Sequence, residues 1–304
     1  MKRILVIICV VVVLSVLCFG LTACMGYTTQ KCYDDADKYL VGSQTYDATD
    51  FVRLNVDWTI GKVTFIEDDT LTCVTVEEEN SLSNGKKVHS YYHDGVLDIR
   101  FWESGLRDYV SERDKHLTIT FPYVRDIRVE MTSGDLVADK LTVESATIKM
   151  TSGDIDINML QADSFTCHMT SGDLFVKEEV SKEITFEMTS GKGKFGSVQA
   201  EKVSISQTSG DIVIGDMATD TFFADGTSGD VEVAFSRVDK ASFSMTSGDA
   251  EIKLPEGGAT ASVALTSGSL KTDLPYTVDF GRYIFGEGKC DLGIKMTSGS
   301  VRIK

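Results

Sequence analysis

The side chains best equipped for chemistry in this chain are the serines and acids of one recurring tetrapeptide. Thr-Ser-Gly occurs nine times, and the next residue is Asp135, Asp154, Asp173, Lys192, Asp211, Asp230, Asp249, Ser269 or Ser300. Hydroxyls beside carboxylates suggest a nucleophile with its base, acid–base hydrolysis, or a calcium site built from hard oxygen ligands. Repetition weakens the first two. A catalytic serine needs one particular base, yet the same pair recurs in nearly every copy, and no Gly-x-Ser-x-Gly elbow or phosphate-cradling loop stands out. Hydrolysis of an acidic polysaccharide needs carboxylates gathered in a groove, whereas these are spread along a ladder. Only four histidines are present, and His89 and His93 lie four apart in a segment that reads as strand, with no third metal partner in view. The chain therefore reads as a non-enzyme, with no catalytic residue, cofactor or metal assigned.

The spacing of the tetrapeptides says what they are for. Thr132, Thr151, Thr170, Thr189, Thr208, Thr227 and Thr246 follow one another at 19 residues, and Thr266 and Thr297 follow at 20 and 31. A fixed period of this kind marks stacked repeats. Apolar residues hold fixed offsets on both sides of each Thr: Ile127, Val129 and Met131 before the first, Leu136 and Ala138 after it. Later copies repeat this with Phe165, Cys167 and Met169, then Leu174 and Val176. Alternate apolar positions mean short strands with one face inward, two per repeat, joined by the Thr-Ser-Gly corner. Glycine accepts positive φ, and Ser and Asp hold tight turns by bonding nearby backbone. Gly134, Gly153, Gly172, Gly191, Gly210, Gly229, Gly248, Gly268 and Gly299 are thus expected as structural turn residues.

The fold class is all-β: a single-domain β-solenoid with coils of about 19 residues, each rising about 4.8 Å, so that nine corners form a ladder roughly 40 Å long. An antiparallel sandwich of duplicated hairpins is the competing arrangement; helical repeats are excluded by their longer units and three-to-four-residue spacing. In the ladder, like charges one coil apart repel by roughly 1 kcal/mol in water and about 3 to 4 at an effective dielectric of 20. Turn amides, the intervening Lys192 and bridging calcium are three ways to offset that. The Met positions before the corners are expected to stack inside.

The ends of the chain complete the organisation. Lys2 and Arg3 precede an apolar run from Ile4 to Leu17, and Leu21-Thr22-Ala23-Cys24 follows, in the order of an export signal. Residues 1–23 read as a signal peptide, 24–50 as a polar linker with a helical turn near Tyr33 to Tyr39, and 51–304 as the solenoid. Within it, residues 51–130 read as degenerate coils and 131–304 as regular ones. Leu54, Val56 and Trp58 precede Thr59-Ile60-Gly61-Lys62, and Val63 and Phe65 follow, at the offsets of the later repeats. Another corner is expected at Asp94-Gly95, and Tyr276 to Lys289 reads as an insertion over the flank of the stack. Cys32, Cys73, Cys167 and Cys290 allow two disulfides in three connectivities, although Cys167 sits at an inward offset. The net charge of −16 speaks against nucleic acid and against a basic patch for anionic lipid.

Repeated Ser-Gly-Asp corners, alternating strands, an exported start and the terminal Thr-Ser-Gly-Ser-Val make residues 50 to 304 resemble the bacterial putative-adhesin family, a domain of unknown function predicted to form a β-solenoid. The Leu-Thr-Ala-Cys stretch resembles a bacterial lipobox, which implies cleavage before Cys24 and diacylglycerol on it. Lys192 and Ser269 depart from the Asp usual at the corner. These resemblances imply an extracytoplasmic face of the cell membrane as the location, membrane attachment through the lipid, and binding to an envelope polymer, matrix or another envelope protein. A second reading is an envelope-stress accessory acting on a membrane sensor, and a third is a polysaccharide-cleaving β-helix enzyme.

Overall fold

The computed structural model describes residues 27–79, 83–109 and 115–304, and the lipid attachment expected at Cys24 lies outside them. The body is one long sheet of mostly parallel strands wound into a solenoid. Among the described residues there is no α-helix, and no helix long and apolar enough to cross a membrane. The repeat is what makes this possible: Leu136, Ile155, Leu174, Gly193, Ile212, Val231 and Ala250 stand one above the next, each 19 residues further along the chain. Inward positions therefore meet inward positions, and coil-to-coil backbone bonds run along the axis.

Each coil has three sides. In the strand Asp135–Ser152, Leu136 and Ala138, then Leu141 and Val143, then Ala146, Ile148 and Met150 point inward and are at most 5 % exposed. The first and third sets are the sides expected from the sequence. Leu141 and Val143 form an additional short side between them, so the two short strands expected per repeat are corrected to one continuous strand with three inward-facing sets. The ladder continues through the two gentle bends around residues 139–140 and 144–145, and only Thr-Ser-Gly breaks it sharply. Aromatic rings fill the interior, with Phe165, Phe186, Phe222 and Phe243 at most 1 % exposed. Burial of each such side chain is worth about 1.5–3 kcal/mol. Gly193, at an inward position, leaves the room that Phe186 takes, since a Cβ there would meet that ring at 2.6 Å.

The order of layers departs from the order of the sequence at both ends. Strands Arg53–Trp58 and Lys62–Glu67 lie beneath Asp126–Ser133 and the start of Asp135–Ser152, with Gly61 under Gly134. The intervening chain travels outward and back. Val96–Arg100 and His116–Phe121 form a layer below Arg53–Trp58 and Lys62–Glu67, and the antiparallel strands His89–His93 and Cys73–Glu79 pair with that layer. Asp94-Gly95 is the two-residue turn of the antiparallel hairpin, with φ of 48° and 76°, not a solenoid corner as expected. The stretch expected as a linker contributes Leu40–Val41 and Gln44–Asp47 to the same cap.

At the other end, Cys290–Ile303 stacks directly on Val231–Met245 and Ala250–Lys253, while the earlier strand Ala259–Thr272 lies outside it. The column thus runs Asp249, Ser300, Ser269, and the sequential order Asp249, Ser269, Ser300 is corrected. The hairpin Tyr276–Asp279 and Arg282–Phe285 joins the two layers and pairs with Thr260 and Ala261.

A buried lysine locks the first cap. Lys115 is 1 % exposed; its Nζ pairs with Glu78 Oε1 at 2.9 Å and donates to the carbonyls of Lys86, at 2.8 Å, and Phe101. It also lies 4.8 Å from the Trp58 ring centre and 4.1 Å from that of Phe101.

Candidate functional site: corner ladder and outer groove

The corner glycines do two things. Gly134, Gly153, Gly172, Gly191, Gly210, Gly229, Gly248 and Gly299 adopt φ between 109° and 124°. They also stack so closely that a Cβ on Gly153 would stand 1.9 Å from the carbonyl oxygen of Gly134, and one on Gly172 equally close to that of Gly153. No side chain fits in that column. Gly268 is the exception to the expectation, because Ala259–Thr272 runs through it as continuous strand without positive φ. As the outermost corner it need not leave room for a further coil, though a Cβ would still meet Gly299 O at 2.4 Å.

The acidic ladder is held by backbone amides. Asp154 Oδ1 accepts the N–H of Asp173 at 2.9 Å, Asp173 Oδ1 that of Lys192 at 3.0 Å, and Asp230 Oδ1 that of Asp249 at 2.8 Å. Asp249 Oδ1 accepts both the amide and the hydroxyl of Ser300 at 2.8 Å, and these bonds hold its carboxyl below the usual carboxylate range. Each carboxylate is thus tied to the coil above it, which offsets the repulsion along the column. Among the described residues no cluster of three or more His, Cys, Asp and Glu is arranged to hold a metal. His93 Nε2 pairs with Asp98 at 2.9 Å, and His89 is buried on the carbonyl of Lys87, its pKa lowered chiefly by burial. The cysteines Cys32, Cys73, Cys167 and Cys290 are all free.

Met131, Met150, Met169, Met188, Met245 and Met296 stack inside, each between 2 and 4 % exposed. Gln207 and Glu179 are interior polar groups that the sequence did not announce. Gln207 replaces a methionine in that column opposite Gly226, and neither its Oε1 nor its Nε2 has a hydrogen-bond partner among the described residues. Glu179 occupies the short second side between Leu160 and Val198, and burial pushes its carboxyl up to about 8. Ser181 donates to Glu179 Oε1 at 3.2 Å, while Oε2 has no partner.

The second side also shapes the outer surface. A groove of about 490 Å³ runs along the stack over residues 142–144, 161–163, 180–182 and 199–201, with Tyr123 and Arg237 also lining it. Its floor is backbone at Val143, Ala162, Ser181 and Ala200. Along one rim, Thr142, Gln161, Val180, Gln199, Ala218 and Arg237 stand in register, one per coil. Along the other, Lys182 pairs with Asp163 at 2.8 Å. Sequence reasoning missed this groove because it assigned no strand to the second side.

A three-sided parallel stack with a glycine corner column and amide-tied acids defines a β-solenoid. The chain belongs to the Toastrack DUF4097 family, whose profile matches residues 54–304. A putative adhesin from Parabacteroides distasonis shares the fold, with a TM-score of 0.53 at 14 % identity over 87 % of this chain and 97 % of that one. One from Parabacteroides merdae gives 0.52 at 12 % identity over 87 % and 96 %. A putative adhesin from Bacteroides fragilis gives 0.47 at 14 % identity, over 87 % and 97 %. No curated protein matches the chain.

Proposed function

We propose that this protein is an exported, lipid-anchored surface scaffold that binds a partner outside the cell membrane and performs no chemistry on it. The observation that carries this reading is the register of the outer faces. From Asp135 to Gly226 each outward column presents one residue per coil, about 4.8 Å apart, on a rod with a continuous buried apolar core. A rigid surface of this period suits a ligand that itself repeats. The name borne by the relatives, putative adhesin, agrees with a binding role. Glycan and matrix-protein arrays probed with the full-length chain test it: saturable binding to one class supports the reading, and binding to none of them refutes it. Anchoring is tested separately. Cys24→Ala should abolish incorporation of labelled palmitate and leave an uncleaved precursor, and equal labelling of parent and variant would remove the lipoprotein assignment.

A further inference from the structure

We propose that the groove along the second side binds a linear, uncharged polysaccharide laid parallel to the solenoid axis; this rests on the surface-binding reading and names its ligand class. The first argument is what the groove cannot offer. Main-chain N–H and C=O groups of stacked parallel coils point along the axis into their neighbours, so the floor has no free backbone for a guest strand to pair with. Recognition falls to side chains.

Those side chains suit hydroxyls. Gln161 and Gln199 are exposed, stand in one column and are two coils apart, with Val180 between them. Each amide has both donors and an acceptor, which matches a sugar hydroxyl in either role. Their separation of about 9.6 Å is two coil rises, close to the advance of a β-1,4-linked disaccharide. At the near end Tyr123 is 48 % exposed and lines the groove, an aromatic face on which the apolar C–H face of a pyranose can stack. From Thr142 to Arg237 the rim spans five coil rises, about 24 Å, room for several sugar units.

Charge selects within that class. Lys182 is paired with Asp163, Arg237 with Asp220 at 2.5 Å and Glu144 with Arg125 at 3.9 Å, so the lining cations are engaged while Glu201 keeps the rim acidic. A polyanionic glycan would meet this rim and a chain of net charge −16.

Calorimetric titration of the full-length chain in detergent with cellohexaose, chitohexaose and hexagalacturonate tests the proposal. One neutral hexasaccharide should bind, more tightly than its disaccharide. Tyr123→Ala and the double variant Gln161→Ala/Gln199→Ala should each weaken it at least tenfold with unchanged melting temperature. Lys149→Ala, on another face, should not alter it. Full affinity in the double variant would overturn the groove assignment and leave the surface-binding reading standing. Equal affinity for hexagalacturonate, or no oligosaccharide binding in a chain that captures a matrix protein on the arrays, would overturn the ligand class alone. A chain that binds nothing on arrays or in titration would refute both.

Discussion

The carboxyl of Glu179 makes the stability of the whole stack depend on pH in a direction opposite to that of ordinary surface acids. Its neighbours above and below in the column are Leu160 and Val198, its Oε1 accepts one hydroxyl, and its Oε2 accepts nothing. Desolvation, partly offset by the Ser181 bond, raises its pKa from 4.5 to about 8. The folded state keeps this proton where the unfolded chain has lost it. The stability associated with protonated Glu179 is therefore fully present below about pH 4.5, declines as pH rises, and is lost once pH has passed about 8. At 1.36 kcal/mol per pH unit, the loss at pH 7 is roughly 3 kcal/mol. Glu179→Leu, which continues the column of Leu141 and Leu160, should recover most of that, raising the melting temperature at pH 7 by roughly 6–12 °C for a domain of this size. Urea midpoints of parent and variant measured from pH 5 to 9 check it: the two curves should converge near pH 5 and diverge towards pH 8. Parallel curves, or a variant less stable than the parent at pH 7, would refute the buried-acid argument.

Three further outcomes follow from the packing. Gly153→Ala should destabilise by more than the about 1–3 kcal/mol of backbone strain alone, because its methyl would stand 1.9 Å from Gly134 O. Gly281→Ala, with φ of 78° and nothing within 4 Å, should cost only about 1–2 kcal/mol, and thermal melts of the pair that coincide would count against the glycine stack. Mild peroxide followed by peptide mass spectrometry should oxidise Met159, which is 44 % exposed, well before Met131, Met150, Met169, Met188, Met245 and Met296; equal rates would turn the methionine column outward. Lys115→Ala should cost about 3–5 kcal/mol by stranding Glu78 in the cap, and a denaturation midpoint within error of the parent would show the pair to be dispensable.

How much of this could be read from residue order depends on the element. The corners and the first and third sides were recoverable because Gly, Met and the flanking apolar residues recur at fixed offsets. The second side was not, since Glu179, Ser181 and Thr219 break its apolar pattern, and the groove that it shapes was lost with it. Asp94-Gly95 misled because a two-residue hairpin and a solenoid corner both call for positive φ. The role of Lys115 was invisible because its partners, Glu78 and the Phe101 carbonyl, come from distant parts of the chain. The Thr-Ser-Gly of Thr266 and that of Thr297 look alike in sequence, so nothing local revealed that the later one occupies the inner layer.

That interchange of layers has a consequence for assembly. In the middle of the rod the strand pairing joins residues 19 apart, so coils can zip onto a growing stack as they are made, and copies could be gained or lost with little cost to topology. The final slot is different. Met245 lies against Met296, and Asp249 bonds to Ser300 across 51 residues, so the space beside the seventh corner stays vacant until the chain has passed it, turned back and slid in beneath its own lid. The late strand acts as a keystone. Its insertion is a long-range closure that should be slower than the zipping before it.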